Sequence, residues 1–323
     1  WRSAPQAQVT FSPTSPAASL TVNTRPYRGR IVVRRDRTGL TAVNRVGLES
    51  YLAGVVSAEM GRREASEGEA LAAQSVVSRT FALRNLGKRR SEGFDLYATV
   101  VDQVYGGIGS ETVLSWRAVR ETSGRVLIYG GAPIDAFFFS TCGGRTADAT
   151  EVFSNGGRPY LKSVWDTDGN GQPYCALSPR FRWRQEWTGE ELLATLQRTL
   201  PALSGLSAAN ITDLRSVRVV RRTGSDRVAR VSIDLGGREV SLEGPAVRQA
   251  LQPAPDQLLR SSAFTLTETR TGDRLVRLVA EGTGAGHGVG FCQWGAVGRA
   301  RAGQRYDEIL TAYFKGVEIR RLY

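Results

Sequence analysis

The chain has 323 residues, 41% of them hydrophobic, enough to fill one large core or two ordinary ones. No apolar run reaches the ~18 residues that span a bilayer as a helix, and the first residue, Trp1, fits a cleaved signal peptide, a removed membrane anchor or a trimmed chain alike. The net charge of +12 is carried almost wholly by arginine and would draw a polyanion, but the basic runs (Arg34-Arg35, Arg62-Arg63, 88–90, Arg320-Arg321) are scattered, and no basic helix, RNP motif or zinc-finger spacing points to a nucleic-acid reader.

Residues 1–39, rich in Pro, Ser, Thr and Ala at the start, predict an extended segment packed on or leading into the core, with a strand or two. IVVRRD and LTAVNRV around Gly39 predict a β-hairpin. The period then changes: Leu48, Tyr51, Leu52, Val55 and Val56 make the stripe of an amphipathic helix, and Glu59 continues it. A carboxylate at the end of an apolar stripe is either turned to solvent or a partly buried acid able to carry a proton near neutrality. Ser66 and Glu69 have capping-box spacing before a second helix over 71–86, whose inner side carries Ala73, Val76, Val77, Thr80, Phe81 and Leu83, and also Arg79.

The middle of the chain reads as mostly β. YATVVDQVYGG and GRVLIYGGAPIDAFFF alternate apolar runs with glycine turns, and the second breaks abruptly into STCGGRT, a small, polar segment able to offer backbone N–H groups to a ligand. Residues 179–276 change character again: FRWRQEW, a helix over TGEELLATLQRTL capped by Thr188, alternating strands, and a short helix at EGPAVRQAL predict an inserted β/α lobe.

The only histidine, His287, lies in GTGAGHGVGFCQWGA. This stretch fails the G-x-G-x-x-G spacing, because Phe291 stands where the last glycine would be, and no Gly-Lys-Ser/Thr follows. Its glycines are expected to leave room for something large beside His287, ahead of helices at QWGAVGRARAG and RYDEILTAYF. Cys142, Cys175 and Cys292 form no C-x-x-C pair and, with a single histidine, no Cys₂His₂ zinc pattern; no metal or cofactor is expected. A disulfide between two of the cysteines would suit an exported protein.

VVSAEM, EALAAQSVVSRTFAL, DQVYGG, FFSTCGGRT, PYLKSV, GHGVGFCQWGA and YDEILTAYFKGVEI occur in the order found in the stage II sporulation protein D family, also called SpoIID/LytB, which the chain resembles over roughly 40–164 and 281–319. The resemblance implies an α+β fold: a mixed core (40–178 and 277–323) with a catalytic helix pair and strands around a cleft, plus the inserted lobe. It also implies an exported or membrane-anchored cell-wall protein outside the cytoplasm, either a lytic transglycosylase cutting peptidoglycan glycan strands or an enhancer of a wall amidase. Carried over by position, the family's catalytic glutamate falls on Glu59 and its helix arginine on Arg79, which would orient Glu59 or bind a substrate carboxylate. Gln103, Tyr105, Ser140, Thr141, Tyr160, His287, Gln293 and Tyr313 fall in blocks that resemble the cleft lining. Where some relatives bind zinc with His and Cys, this chain has Phe139 and Arg145 in place of histidine, which leaves Cys142 without His partners. Cys142 and Cys175 are expected to be a disulfide or two free thiols, the export that the resemblance implies favouring the disulfide, with Cys292 a small buried apolar residue.

Overall fold

The computed structural model describes residues 8–15, 17–35 and 39–323; the sequence reading of 1–7 lies outside them. The fold is mixed α+β, with seven α-helices and several small sheets among the described residues. The chain divides into two compact units: Trp1–Ala136 with Gly303–Ile309 and Val317–Tyr323, and Phe137–Ala302 with Leu310–Gly316.

In the first unit, Arg30–Arg35 pairs antiparallel with Leu40–Arg45 as the hairpin pattern predicts, and Gln8–Phe11 adds the third strand. Ile31 and Val32 are the buried residues of this sheet. Helix α1 (Leu48–Met60) follows, burying Leu52, Ala53, Gly54, Val55, Val56 and Met60, and it ends at Gly61, whose φ of 71° requires glycine and whose N–H reaches back to the Ser57 carbonyl. Helix α2 (Gly68–Arg84) is buried continuously from Ala70 to Ala82, because it packs against α1, against α3 (Val113–Glu121) and against the strand Arg125–Tyr129. Its polar residues are therefore satisfied internally. Gln74 Nε2 donates to Ser78 Oγ at 2.9 Å, and Thr80 Oγ1 donates to the Val76 carbonyl while accepting the Leu127 N–H.

Two local expectations are corrected here. The capping box before α2 is Glu64 with Glu67 in the preceding turn, while Glu69 accepts the Tyr306 N–H at 2.7 Å. YATVVDQVYGG forms no strand, since Asp102 folds the backbone back on itself by accepting the Tyr97 N–H at 2.9 Å. The Gly130-Gly131 hairpin is present, and Glu318–Arg321 pairs with its first strand.

In the second unit, α4 (Gly189–Ser204) is opened by Thr188, whose side chain accepts the Glu191 N–H in a capping box. Leu192, Leu196 and Leu200 form its buried stripe. They enter a core with Trp183, Trp187, Val217, Val231, Leu278 and others, closed by the sheets 216–243 and 264–283 with 182–188 and by α5 (Pro245–Ala250). Phe291–Cys292 pairs parallel with Phe138–Phe139, which brings the start of α6 (Gln293–Arg301) beside the STCGG segment. The last helix is α7 (Tyr306–Tyr313). No helix among the described residues is long and apolar enough to cross a membrane.

Gly54 carries a test of the packing around α1. A Cβ there would stand 2.7 Å from Tyr105 Cε2, and that ring is wedged between Tyr27 and Tyr51, with centroids 5.9 and 4.9 Å away. Alanine in a helix interior normally gains about 0.5–1 kcal/mol over glycine, but overpacking costs about 1–3 kcal/mol. Gly54→Ala should therefore lower the urea-unfolding free energy; a gain would show that Tyr105 has room to move.

Candidate functional site

Glu59 occupies the last turn of α1, half-buried, and its Oε1 accepts the Val104 N–H at 2.7 Å. The loop that supplies this N–H also supplies Gln103 and Tyr105. Tyr51, two turns earlier on α1, donates from Oη to Gln103 Oε1 at 3.1 Å, and Tyr105 donates to Asn44 Oδ1 at 3.1 Å. Gln103 is fully buried and its Nε2 has no hydrogen-bond partner. Burial, and after it the negative charge of Glu59, pushes the Tyr51 hydroxyl well above the usual phenol range; burial likewise pushes Tyr105 up to about 12. Both phenols therefore stay protonated beside Glu59 at neutral pH. Of the sequence candidates, Glu59, Gln103 and Tyr105 are thus gathered in one network, together with Tyr51, which the periodicity marks only as a core residue.

The neighbouring carboxylate, Asp102, is committed elsewhere. Lys88 Nζ reaches its Oδ1 at 2.6 Å, Arg89 Nε lies 3.5 Å from Oδ2, and its side chain is fully buried. Burial opposes the charge, but Lys88 and the Tyr97 N–H prevail and hold Asp102 below the usual carboxylate range.

Arg79 departs from its predicted place beside Glu59. Nε and one Nη2 hydrogen go to the two oxygens of Glu49 at 2.8 and 2.6 Å; the remaining donors go to the Val119 carbonyl, the Arg125 carbonyl and Thr122 Oγ1. All five N–H groups of a guanidinium are then used, and none is left for Glu59. Glu49 also accepts a hydrogen bond from Tyr323 Oη. Its ten-residue separation from Glu59 along α1 is about 15 Å at the helical rise.

The remaining candidates lie in the second unit, where most are occupied by the protein itself. His287 is half-buried with both ring nitrogens engaged: Nε2 donates to the Phe138 carbonyl at 3.0 Å and Nδ1 accepts the Val289 N–H at 3.1 Å. The rings of Phe139, Phe153 and Phe137 surround it at 5.3, 5.6 and 6.2 Å. The space expected beside it is filled, since a Cβ on Gly286 would meet Phe139 at 2.8 Å and one on Gly290 would meet the Phe137 carbonyl at 2.4 Å. Ser140 and Thr141 are hydrogen-bonded to each other at 3.2 Å, and buried Thr141 also reaches Ser178 Oγ at 2.8 Å. The N–H groups of the small polar segment are likewise used internally: Thr141 donates to the Ala285 carbonyl, and Cys142 to Cys292 Sγ. Tyr160 and Gln293 are buried. Tyr313, fully buried, donates from Oη to Asp166 Oδ1 at 2.8 Å.

The cysteines take the free-thiol alternative, and three of them gather where two were expected. Cys142 and Cys175 are free thiols with Sγ atoms 3.4 Å apart, and Cys292 is not a separate apolar residue. Its sulfur, the other two and Asp166 all present ligand atoms within 4.8 Å of one another. Sequence spacing could not reveal this cluster, because its members are contributed by four separate segments.

Residues 36–129 match the family model described as Stage II sporulation protein, and residues 174–290 match a domain of unknown function. The chain is 32% identical over 298 residues to Stage II sporulation protein D of Bacillus subtilis (strain 168), covering 88% of this chain and 77% of that protein. It is 30% identical over 303 residues to an uncharacterised protein of Brachyspira hyodysenteriae, covering 93% and 73%. To the amidase enhancer of Bacillus subtilis it is 29% identical over 288 residues, covering 78% of this chain and 38% of that larger protein.

The single histidine gives one ring Cε1–H resonance to follow by NMR. Burial, with nearby Arg248 and Arg227, lowers its pKa to about 4 against the bond to the Phe138 carbonyl, which favours the proton. An unfolded chain takes up that proton at about 6.5. The stability His287 contributes is then complete above about 6.5 and falls as the pH drops from there toward 4, because the unfolded state binds the proton first. A resonance titrating near 6.5 in the folded protein would contradict the packing described.

Proposed function

The chain belongs to the Stage II sporulation protein D family, and on that premise we propose that it is a lytic transglycosylase of peptidoglycan glycan strands, working outside the cytoplasm with Glu59 as its one acid and base. In that reaction protonated Glu59 gives its proton to the glycosidic oxygen between MurNAc and GlcNAc as the sugar gains oxocarbenium character. The resulting carboxylate accepts the proton of the MurNAc C6 hydroxyl while that oxygen closes onto C1, leaving a 1,6-anhydro end.

The observation that carries this reading is that Asp102, the carboxylate beside the loop that binds Glu59, is committed elsewhere and so is not offered as a second catalytic acid. Glycoside hydrolases hold two, about 5–10 Å apart, and the neighbour here, Asp102, is bound by Lys88, Arg89 and the Tyr97 N–H. A single acid that returns as a base suits ring closure better than hydrolysis. The position of Glu59 supports the double role. The carboxyl end of a helix favours a neutral acid, whereas the Val104 N–H favours the carboxylate. These opposed influences suit a group that gives and takes one proton. The arginine-rich charge fits a substrate bearing stem-peptide carboxylates.

The resemblance to the amidase enhancer favours a second reading, in which the protein binds the wall and assists an amidase without cutting glycan. Glu59→Gln separates the two. With peptide-bearing and peptide-free glycan strands, mass spectrometry should find anhydro-ended fragments from the wild type and about 10²–10⁴-fold fewer from Glu59→Gln, at an unchanged melting midpoint. Reducing ends would mean hydrolysis. Binding by both proteins with no cleavage by either would establish the second reading.

A further inference from the structure

The stretch from Ser140 to Ser178 contains no helix beyond short 3-10 turns and no strand beyond isolated bridges, yet Cys142, Thr146, Leu161, Asp166 and Cys175 within it are buried. Irregular chain that buries little regular structure needs something else to fix it. The residues that converge beneath it are Cys142, Asp166 and Cys175 from the stretch itself, and Cys292 from the strand that leads into α6.

We propose that Cys142, Cys175, Cys292 and Asp166 form a structural zinc site. Three sulfurs and one carboxylate oxygen make a four-donor set suited to a tetrahedral, thiolate-preferring ion. The contacts already on the page are of the size such a site requires: Cys142 Sγ lies 3.4 Å from Cys175 Sγ and 3.2 Å from Asp166 Oδ2. Zinc–ligand bonds of about 2.0–2.3 Å bring tetrahedral neighbours to about that separation.

The surroundings are arranged for anionic sulfur. The N–H of Cys142 points to Cys292 Sγ at 3.1 Å, that of Gly295 to the same sulfur at 3.2 Å, and that of Gly144 to Cys142 Sγ at 3.3 Å. Asp166 is oriented through its other oxygen: Arg299 Nε and Tyr313 Oη hold Oδ1 at 2.9 and 2.8 Å and leave Oδ2 toward the sulfurs. Gly295 is required where it stands, since a Cβ would fall 2.0 Å from Asp166 Oδ2.

Charge gives an independent argument. Arg227 is 2% exposed, donates to the Cys142 and Arg145 carbonyls at 3.0 Å, and leaves its Nε without a partner. A buried guanidinium with one donor unmatched calls for negative charge close by. Three thiolates and a carboxylate on a divalent ion carry excess negative charge, which Arg227 and Arg299 offset. Binding releases to solvent the protons of those thiols that carry them. All four ligands are buried and no open position is offered, so the ion would hold the fold and take no part in chemistry.

Elemental analysis of the full chain, purified under reducing conditions without chelator, should find one zinc per chain. Titration of Co²⁺ into metal-stripped protein should give a thiolate-to-metal charge-transfer band with tetrahedral d–d bands, both abolished by Zn²⁺, and Zn²⁺ should raise the melting midpoint. Cys175→Ser should lose the charge-transfer intensity of one thiolate. If that variant does not fold, the wild-type zinc content and cobalt spectrum decide the matter alone. Background zinc together with a cobalt spectrum lacking sulfur charge transfer would overturn the proposal, as would a Cys142–Cys175 disulfide in the purified protein.

Discussion

The ion pair between buried Arg79 and partly exposed Glu49 governs the first unit. One guanidinium binds the start of α1 through Glu49, the end of α3 through the Val119 carbonyl and Thr122, and the strand 125–129 through the Arg125 carbonyl, all from the middle of α2. Removing such a charge from water is costly, and the cost is offset only because every donor is matched. The geometry of the fork explains why arginine stands here, for a lysine has three donors around one point and could not span four partners. With its beginning fixed in this way, α1 carries Glu59 to the Val104 N–H at its other end. Arg79 is thus a positioning residue, and the chemistry proposed for Glu59 depends on it only through the helix.

The second unit rests on a different constraint. Phe291–Cys292 beside Phe138–Phe139 forces two glycine-rich segments into close approach. Glycine is needed where neighbouring atoms already fill the Cβ position, as at Gly290 against the Phe137 carbonyl and Gly295 against Asp166. The glycines around His287 therefore serve the packing of the protein against itself. The same approach brings Cys292 to Cys142 and Cys175.

Local structure was largely legible in the sequence where one physical signal dominated. The stripe from Leu48 to Val56, the Thr188 cap with its leucines, and the Gly130-Gly131 hairpin each became the element predicted. YATVVDQVYGG misled because its alternating valines resemble a strand, whereas Val100 and Val101 are 87% and 61% exposed on a turn that Asp102 holds. Among the candidate site residues, the position of Glu59 followed from helical periodicity. Periodicity could also place Arg79 on the packed side of its helix, but it could not say which carboxylate it would meet, because Glu49 lies 30 residues away in sequence. Asp166, Arg227 and Arg299 carried no local signal at all; their role depends on contacts between distant segments.

The division of labour along α1, with structure at Glu49 and the proposed chemistry at Glu59, is tested most directly by the unfolding free energy of Arg79→Met measured beside that of Glu59→Gln. The account predicts a clear loss for Arg79→Met, on the order of 1–3 kcal/mol for each buried acceptor it strands, the Val119 and Arg125 carbonyls among them, and little change for Glu59→Gln. An Arg79→Met protein as stable as the wild type but unable to cleave glycan would contradict it and return Arg79 to the chemistry.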